Sequence, residues 1–570
     1  MEGPTSVDTD QNPNSRRQRI IEFSAFERHD ADIPSNAGRI PIPEEASNST
    51  TSTPRSTTSE LDKDIEKHAI SRRASTVSVS SRIVSMPEKE HGGENVAAEE
   101  EDEESDDPDA VSWDGLDDKA NPMNWSKGRR WGAMAVVSGF TFLTPLGSSI
   151  FAPGVQLVMD EFRSTNSLLQ GFIVSVYVLG FAFGPLVIAP LSEMYGRLPL
   201  YHSCNILFFV FNIACAVSGN ISQLIVFRFL AGSTGSAPLA LGGGTIADLF
   251  PRDQRATAMA IWVLGPTLGP VIGPIAGGFI SESLGWRWNF WIVAMTSGVF
   301  SILGIFLLKE TYAPTLLKQK ASRLRKSTGN PLLHSKLDTG LSTRDLFILS
   351  IVRPSKMLTL SPIVFLMSLY VALVYAYLYI LFTTVSFVFE RQYHFQKNLV
   401  GLSFVGLGMG QFLGQFGYTW YANRSYKKHV ERGDFRPEHR LESMIPGAFL
   451  VPVGLFWYGW SVQADVHWIC PMFAMGVFGA GLLVIFMPAN TYLVDVFTVH
   501  AASAMAANTV LRSVFAAFLP MGGPKLYAAL GYGWGNTLLG FISCLMIPIP
   551  FLFLRYGEWL RTNPRFQLKL

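Results

Sequence analysis

The chain has 570 residues, of which 48% are hydrophobic and only 16% charged, and its formal net charge is +1. So small a net charge offers no positive field for nucleic acid, so no nucleic-acid partner is expected. The long apolar runs all come after residue 128, so the polar first part and the apolar remainder are treated separately.

Residues 1–128 are predicted to be a disordered cytoplasmic N-terminal tail. Stretches such as SNSTTSTPRSTTSE (47–60) have no hydrophobic period, and the acidic run AEEEDEESDDPD (98–109) repels itself. No signal peptide is expected, because no apolar core follows a basic start. Ser75 follows two arginines in RRAS, a spacing that basophilic kinases accept. A kinase is therefore a possible partner of the tail, with an unmodified linker as the alternative.

Twelve long apolar runs follow the tail, and they are numbered segments 1 to 12. Most are 19–26 residues long, enough for a helix to cross about 30 Å of hydrocarbon. Twelve such runs predict an all-α protein that spans the membrane many times. The segments lie at about 131–155, 169–190, 199–218, 222–247, 257–280, 288–308, 360–382, 398–420, 444–462, 467–489, 502–524 and 534–554.

A basic stretch between segments 6 and 7 divides the chain into two halves. The predicted parts are an N-terminal six-helix bundle at 129–308, a cytoplasmic central loop at 309–359, a C-terminal six-helix bundle at 360–556 and a cytoplasmic tail at 557–570. Segments 2 and 8 both carry glycines spaced near four, in GFAFGPLVIAP and GLGMGQFLGQFG. A repeated six-helix bundle is typical of a transporter with its site at the junction, whereas a channel would show a filter-like loop or a ring of charge.

The distribution of lysine and arginine predicts the orientation of the segments. If the tail is cytoplasmic, the inside loops are strongly basic, with ten Lys and Arg between Lys309 and Lys356 alone, whereas the outside loops hold five in all. Basic loops stay on the cytoplasmic side, so both termini are expected to be cytoplasmic.

Segments 4 and 11 each carry an arginine at membrane depth, Arg228 and Arg512. Such a residue costs about 3 kcal/mol or more and is by default functional, the alternatives being a side chain that reaches the headgroups or holds backbone carbonyls. Arg512 is too deep to reach the headgroups. Asn490 and Asn508 are weaker candidates for the same substrate and proton pathway, because interhelical hydrogen bonds usually explain such residues. Acidic residues are nearly absent from the segments, so the group that would carry a coupled proton stays open.

Segment 5 contains three Gly-Pro pairs in WVLGPTLGPVIGPIAGGFI (262–280). Glycines four residues apart form one stripe along a helix, and such a stripe lets a neighbouring backbone approach closely. The prolines follow on the adjacent face and free backbone carbonyls, which neighbours or cavity water must satisfy. The pattern predicts a bent, tightly packed helix. Its residues are Gly265, Pro266, Gly269, Pro270, Gly273, Pro274, Gly277 and Gly278.

No pattern indicates an enzyme. The four cysteines lie singly in apolar segments, the ten histidines form no ligand cluster, and no phosphate-binding loop is present. Neither a metal, a cofactor nor ATP is therefore expected to take part.

Several motifs resemble those of the major facilitator superfamily. PLSEMYGR (190–197) is similar to its loop 2–3 signature, FRFLAGSTGSAP to its fourth-segment motif, and GPTLGPVIGPIAGG to the fifth-segment motif of its drug:H+ antiporters. NPMNWSKGRRW, FAPGV, GWRWNFW, KETYAP and YLVD with ASAMAANTVLRS resemble fungal members of the twelve-span class. The likeness covers roughly residues 121–560 and implies the major facilitator fold, with twelve transmembrane helices in two six-helix bundles.

The resemblance also implies roles for two groups of residues. Glu193, Gly196 and Arg197 would form part of a cytoplasmic gate, with Asp248 nearby at the end of segment 4. The Gly-Pro motif of segment 5 would seal the two halves at their interface against leak. Ala189 and Leu198 depart from the usual glycine and second basic residue of the loop 2–3 signature, which puts only the standard form of that gate contact in doubt.

Taken with the residues, the resemblance implies a monomeric antiporter of the plasma membrane. It would export small amphipathic molecules, such as fungicides, drugs, toxins or secondary metabolites, using the proton gradient and no cofactor. A polyamine:H+ exporter is one alternative, although polyamines favour cavity carboxylates that the segments lack. A non-transporting membrane sensor is the other alternative.

Overall fold

The computed structural model describes residues 107–563, with the exception of residues 108, 116, 338–342 and 397. The described chain is mostly helical, and the first six apolar segments form an N-terminal bundle. In chain order its helices are Lys127–Ser149 with Val155–Glu161 (segment 1), Ser167–Tyr195 (segment 2), Arg197–Ala216 (segment 3), Ile221–Gly235 with Ala237–Leu249 (segment 4), Arg252–Ser283 (segment 5) and Arg287–Leu307 (segment 6).

The last six segments form a C-terminal bundle with the same internal pairing. Segments 1 and 5, 2 and 4, and 3 and 6 pack side by side in the first half, and segments 7 and 11, 8 and 10, and 9 and 12 do so in the second. The fold is therefore two six-helix bundles. The C-terminal helices are Pro362–Arg391 (segment 7), Val405–Arg432 (segment 8), Ile445–Gln463 (segment 9), Ile469–Phe497 (segment 10), Ala501–Met546 (segments 11 and 12) and Pro548–Thr562 (end of segment 12).

Ten helices of the described chain are long and apolar enough to cross a membrane, judged by length and composition. The last of them, Ala501–Thr562, has 62 residues and holds both segment 11 and segment 12. The chain turns there at Gly531, whose φ of +72° is a conformation that glycine adopts without strain. Segment 8 is not among the ten, because glycines, glutamines and a polar second half lower its hydropathy, but it packs beside segment 10. These helices together account for the twelve predicted segments.

Part of the predicted disordered tail is ordered. Ala110–Val111 pairs in parallel with His334–Ser335, and Lys320 Nζ donates to the Ser112 carbonyl at 2.9 Å. The described residues between 107 and 126, called the strap, are therefore folded against the chain beyond segment 6. No periodic signal predicts this order, because it depends on a contact between residues more than two hundred positions apart. Residues 1–106 and 564–570, including Ser75 and the rest of both predicted tails, lie outside the described residues.

The predicted central loop contains two helices, Ala313–Thr328 and Thr343–Leu360. The first begins with Pro314 in its first turn and ends at Gly329, whose φ is +72°. Leu317 and Ala321 are buried, while the basic residues between them and the helix end are mostly exposed. A helix with so narrow an apolar face is too polar to stand out as a segment in the sequence.

Candidate functional site

The two bundles meet closely at one side of the molecule. Twelve segments alternate in direction, so the chain enters segment 1 and leaves segment 12 at one face, called the termini face, and the opposite face is called the far face. In the far half of segments 2 and 11, Ser175 Oγ donates to the Ala517 carbonyl at 2.6 Å. In the far half of segments 5 and 8, a Cβ placed on Gly278 would lie 3.1 Å from the Gly401 backbone nitrogen. The described structure is thus sealed toward the far face.

Arg228, on segment 4, is buried against segments 1, 2 and 6, with 1% of its surface exposed. One terminal nitrogen donates to the carbonyls of Ser148 and Val174, both at 3.2 Å, while Nε and Nη1 have no partner among the described residues. The structure therefore excludes a side chain that reaches the headgroups and shows the alternative in which the arginine holds backbone carbonyls. The guanidinium carbon also lies near three rings, at 4.9 Å from Phe151, 5.4 Å from Tyr177 and 5.6 Å from Phe290.

Arg512 lies in the C-terminal bundle, between segments 7 and 10. Its guanidinium carbon is 4.8 Å from the Tyr375 ring and 5.1 Å from the Phe486 ring, and the two rings are nearly parallel with centroids 6.4 Å apart. Its Nε is buried without a partner among the described residues. Ring faces attract a cation but cannot accept the in-plane hydrogen bonds of a guanidinium, so those donors stay open to another group.

A short chain of contacts connects the surroundings of the two arginines across the bundle boundary. The hydroxyls of Ser148 and Tyr379 share a hydrogen bond of 2.8 Å, and the Ser148 carbonyl accepts from Arg228. The Tyr379 ring lies 5.4 Å from the Tyr375 ring, which in turn packs on Arg512. Segments 1, 4, 7 and 11 thus place both predicted arginines around one region at the junction of the bundles.

Asn490 and Asn508 lie one helical turn from Phe486 and Arg512 toward the termini face. Asn508 Nδ2 donates to Asn490 Oδ1 at 2.7 Å, and Asn490 Nδ2 donates to the Phe486 carbonyl at 2.8 Å. Asn508 Oδ1 is buried and has no partner in the described chain. The interhelical role expected for these residues is present, and the structure also places both beside Arg512.

Carboxylates lie only near the ends of the twelve segments. Glu193, Asp248 and Asp495 lie at termini-face ends, and Glu161, Glu282 and Glu390 at far-face ends. The middle of the bundles therefore holds two arginines and no acidic side chain.

The predicted gate residues are brought together at the termini face, with one exception. Arg197 Nε and Asp248 Oδ2 are 2.6 Å apart, and both side chains are mostly buried. Gly196 has a φ of +96° and starts the turn before Arg197. Glu193 makes no ion pair or hydrogen bond with the described residues, although the charges of Arg197 and Arg353 act on its carboxylate. It therefore lies near the Arg197–Asp248 pair without joining it.

Two gate residues were not predicted. Glu310, in KETYAP after segment 6, accepts hydrogen bonds from the backbone nitrogens of Arg197 at 3.0 Å and Leu198 at 3.1 Å. These nitrogens begin the segment 3 helix, so the carboxylate caps its positive end. Thr311 Oγ1 donates to Asp248 Oδ2 at 3.2 Å. Both residues belong to KETYAP, which resembles a family motif, but that resemblance did not indicate which residues they would contact.

The C-terminal bundle repeats this arrangement, which the sequence did not reveal. Arg440, just before segment 9, pairs with Asp495, at the end of segment 10, at 2.9 Å. Segments 9 and 10 correspond to segments 3 and 4 in the repeat, so the Arg440–Asp495 pair corresponds to Arg197–Asp248. Each bundle thus joins its third and fourth segments by an ion pair at the termini face.

The glycine stripe of segment 5 packs on segment 1 of its own bundle. A Cβ on Gly265 would lie 3.1 Å from the Phe142 backbone nitrogen, and one on Gly269 would lie 2.8 Å from that of Leu146. Gly273 and Gly277 continue the stripe against the backbone of Ile150. The helix Arg252–Ser283 is continuous through Pro266, Pro270 and Pro274.

The resemblance implied that the Gly-Pro motif seals the two halves. The glycine stripe does not do so in this structure, because it packs within its own bundle. Val271, Pro274, Ile275 and Gly278 approach the other bundle, where they meet the parts of segment 8 that contain Gly401 and Gly408. A glycine stripe fixes which face packs closely, but the sequence does not say which helix it meets.

The two repeated six-helix bundles, with a buried polar region at their junction, define a multi-pass membrane transporter. The model of the Major Facilitator Superfamily matches residues 137–520. The chain is 52% identical over 464 residues to the MFS-type transporter penM of Penicillium rubens, covering 81% of this chain and 91% of that protein. It is 50% identical over 481 residues to the efflux pump radE of Floropilus chiversii, covering 84% and 89%. The chain belongs to the major facilitator superfamily, whose members are transporters rather than enzymes.

Solved structures show the same fold at low sequence identity. The xylose transporter XylE from E. coli, in a partially occluded inward open conformation, matches with a TM-score of 0.57 and 16% identity over 75% of this chain and 98% of that chain. A bacterial homologue of the human lysosomal transporter Spinster matches with a TM-score of 0.54 and 15% identity over 77% and 100%.

Proposed function

We propose that the protein exports small amphipathic organic molecules in exchange for protons, without a cofactor. The observation that carries the proposal is the set of aromatic and cationic side chains at the bundle junction, where Arg228 and Arg512 are connected through Ser148, Tyr379 and Tyr375. Such a mixed surface suits molecules with an apolar body and a few polar groups, for example drugs, fungicides, toxins or secondary metabolites. The relative named efflux pump supports the direction of transport.

Transport requires the two bundles to separate at one face and close at the other. The Ser175–Ala517 bond and the Gly278–Gly401 contact hold the far face closed in this structure. Both must break for the site to open there. The Arg197–Asp248 and Arg440–Asp495 pairs keep each bundle rigid at the termini face while the bundles rotate.

We also propose that the termini face is cytoplasmic and that the protein works as a monomer in the plasma membrane. The basic residues of the central region favour this orientation. Cysteine substituted at Asn330 should resist a membrane-impermeant reagent in intact cells and react after permeabilisation. Labelling of this cysteine in intact cells would show that the termini face is extracellular and would contradict the proposed orientation. A kinase acting on Ser75 remains a proposal for the tail.

The polyamine alternative is disfavoured, because the middle of the bundles carries two positive side chains and no carboxylate. The sensor alternative predicts no flux at all, so a transport measurement separates it from an exporter.

The proposal is tested by following efflux of a fluorescent amphipathic dye from cells that express the protein. Dye retention should rise when an uncoupler dissipates the proton gradient while cellular ATP is held constant, because no nucleotide-binding loop is present. Cells with Arg512→Ala, which should reach the membrane but lose most export, provide the baseline. Efflux that continues under the uncoupler would exclude proton antiport.

A further inference from the structure

Arg512 carries a charge for which the described residues supply no anion. Its Nε is buried without a hydrogen-bond partner, and no carboxylate of the described chain forms an ion pair with it. Its nearest charge-stabilising groups are the ring faces of Tyr375 and Phe486. A guanidinium has five N–H donors in its plane, and a ring packed on its face accepts none of them, so the buried Nε is left without an acceptor.

The charged groups around Arg512 do not balance, because two positive side chains lie in the middle of the bundles without a carboxylate. No carboxylate of the described segments compensates the charge of Arg512, because all of them lie near segment ends. Arg228 adds a second positive charge and is partly satisfied by the carbonyls of Ser148 and Val174. Buried charges are normally paired, so a region with two cations and no anion attracts an anionic ligand and repels a cationic one.

We infer that the transported molecule bears an acidic group, ionised at neutral pH, that binds to Arg512 during transport. This inference rests on the proposed function, because it names the class of cargo for the same site. A carboxylate or similar anion pairs with the guanidinium edge through two parallel hydrogen bonds. A flat apolar ring attached to that group packs against Tyr375 and Phe486. The unpartnered Asn508 Oδ1 accepts a hydrogen bond from a hydroxyl of the same molecule.

Matched pairs of probes that differ only in charge test this inference. Naphthoate and naphthamide, and anthracene carboxylate and its amide, are compared for binding to the purified protein and for uptake into proteoliposomes under a proton gradient. The acids should bind about tenfold or more tightly than the amides, the effect expected of a charge-assisted hydrogen-bonded pair. Arg512→Gln should weaken binding of the acids far more than binding of the amides, so that the preference disappears, and Arg512→Lys should restore part of it.

Arg391→Gln is the matched control, because Arg391 also lies beside a phenylalanine ring, that of Phe387, but is exposed at the end of segment 7. It should leave the preference unchanged. Equal handling of acids and amides, with transport intact, would overturn the inference and leave the exporter function standing. If the protein transports none of the probes and none of a panel of uncharged amphipathic dyes, the proposed function is overturned, and this inference falls with it.

Discussion

Ser148 and Tyr379 share a hydrogen bond of 2.8 Å that joins the first segment of one bundle to the first segment of the other. Both side chains are buried, and the Ser148 carbonyl also accepts from Arg228. Ser148 therefore contacts both the buried Arg228 and the other bundle, so separation of the bundles at this point would also disturb the surroundings of Arg228.

Tyr379→Phe should weaken the state that is sealed at the far face. The net value of such a bond is about 1 kcal/mol, which corresponds to about a fivefold shift between two states. Distances between spin labels at residues 282 and 399, both on the far face, should show a larger open fraction. Tyr377→Phe is the control, because Tyr377 lies on the same helix and its hydroxyl has no partner among the described residues. Equal shifts in both variants would show that the Ser148–Tyr379 hydrogen bond does not stabilise the state sealed at the far face.

Gly269→Leu should destabilise the N-terminal bundle, because a Cβ there would lie 2.8 Å from the Leu146 backbone nitrogen. Overpacking of this kind costs about 1–3 kcal/mol. Thermal unfolding of the purified protein should begin at a lower temperature. Gly417→Leu adds the same atoms where nothing lies within 4 Å of the new Cβ and should have little effect.

Gly278→Leu separates packing within a bundle from sealing between bundles. Its Cβ would meet Gly401 and Asn398 of the other half. This variant should open the far face in the spin-label measurement, whereas Gly269→Leu should leave the far-face distances unchanged. If Gly269→Leu instead opens the far face, the stripe does seal the two halves as the family resemblance implied.

The sequence predicts the segments well because the length of an apolar run is set by the thickness of the membrane. The depth of Arg228 and Arg512 follows from their positions within those runs, and both prove to lie around the junction. The close packing of Gly265 to Gly277 is also predictable, since glycine spacing defines a face of a helix.

Tertiary partners are what the sequence leaves open. It does not show that segment 5 meets segment 1, that Glu310 caps the helix beginning at Arg197, or that Arg440 pairs with Asp495. Each contact joins residues far apart in the chain, and no local pattern records such a pairing. The strap escapes detection for the same reason, because its two-residue strand is ordered only by the partner strand at His334–Ser335.

Asp248→Asn and Asp495→Asn should each slow transport severalfold, because each leaves a partly buried arginine without its partner. The Arg440 and Asp495 side chains are 25% and 27% exposed, so the loss should be about 1 kcal/mol. Transport rates in proteoliposomes measure it. Glu558→Gln removes the partner of Arg436 in a pair that is 55% and 51% exposed, and it should transport normally. A wild-type rate for Asp495→Asn alone would mean that the second pair has no role in the cycle.

Lys320→Ala should detach the strap, because Lys320 Nζ holds both the Ser112 carbonyl at 2.9 Å and the Asp114 carboxylate at 2.5 Å. Hydrogen exchange at Ala110–Val111 should become faster. Lys318→Ala, at an exposed site on the same helix, should not change it. Unchanged exchange in Lys320→Ala would show that the strand pairing alone holds the strap.

The strap should also respond to strong acid. Hydrogen bonds from the backbone nitrogens of Ala120 and Asp114, and then the Lys320 charge, hold the pKa of Asp118 below its ordinary value of 3.8. A lowered pKa in the folded state stabilises the strap at neutral pH, and this contribution is lost as the pH falls below that ordinary value and through the lowered pKa. Protection of Ala110–Val111 from exchange, taken relative to the intrinsic exchange rate at each pH, should therefore fall only in strong acid, and a fall already near pH 6 would point to another group.

Proteoliposomes with an imposed pH gradient and no ATP give the most direct test of proton-driven transport through the site that holds Arg228 and Arg512. The purified protein should accumulate organic probes against their gradient, and this accumulation should stop when an ionophore dissipates the proton gradient. The Arg228→Ala and Arg512→Ala variants should each lose most of the accumulation. Accumulation that ignores the gradient, or wild-type accumulation by both alanine variants, would contradict the proposed mechanism.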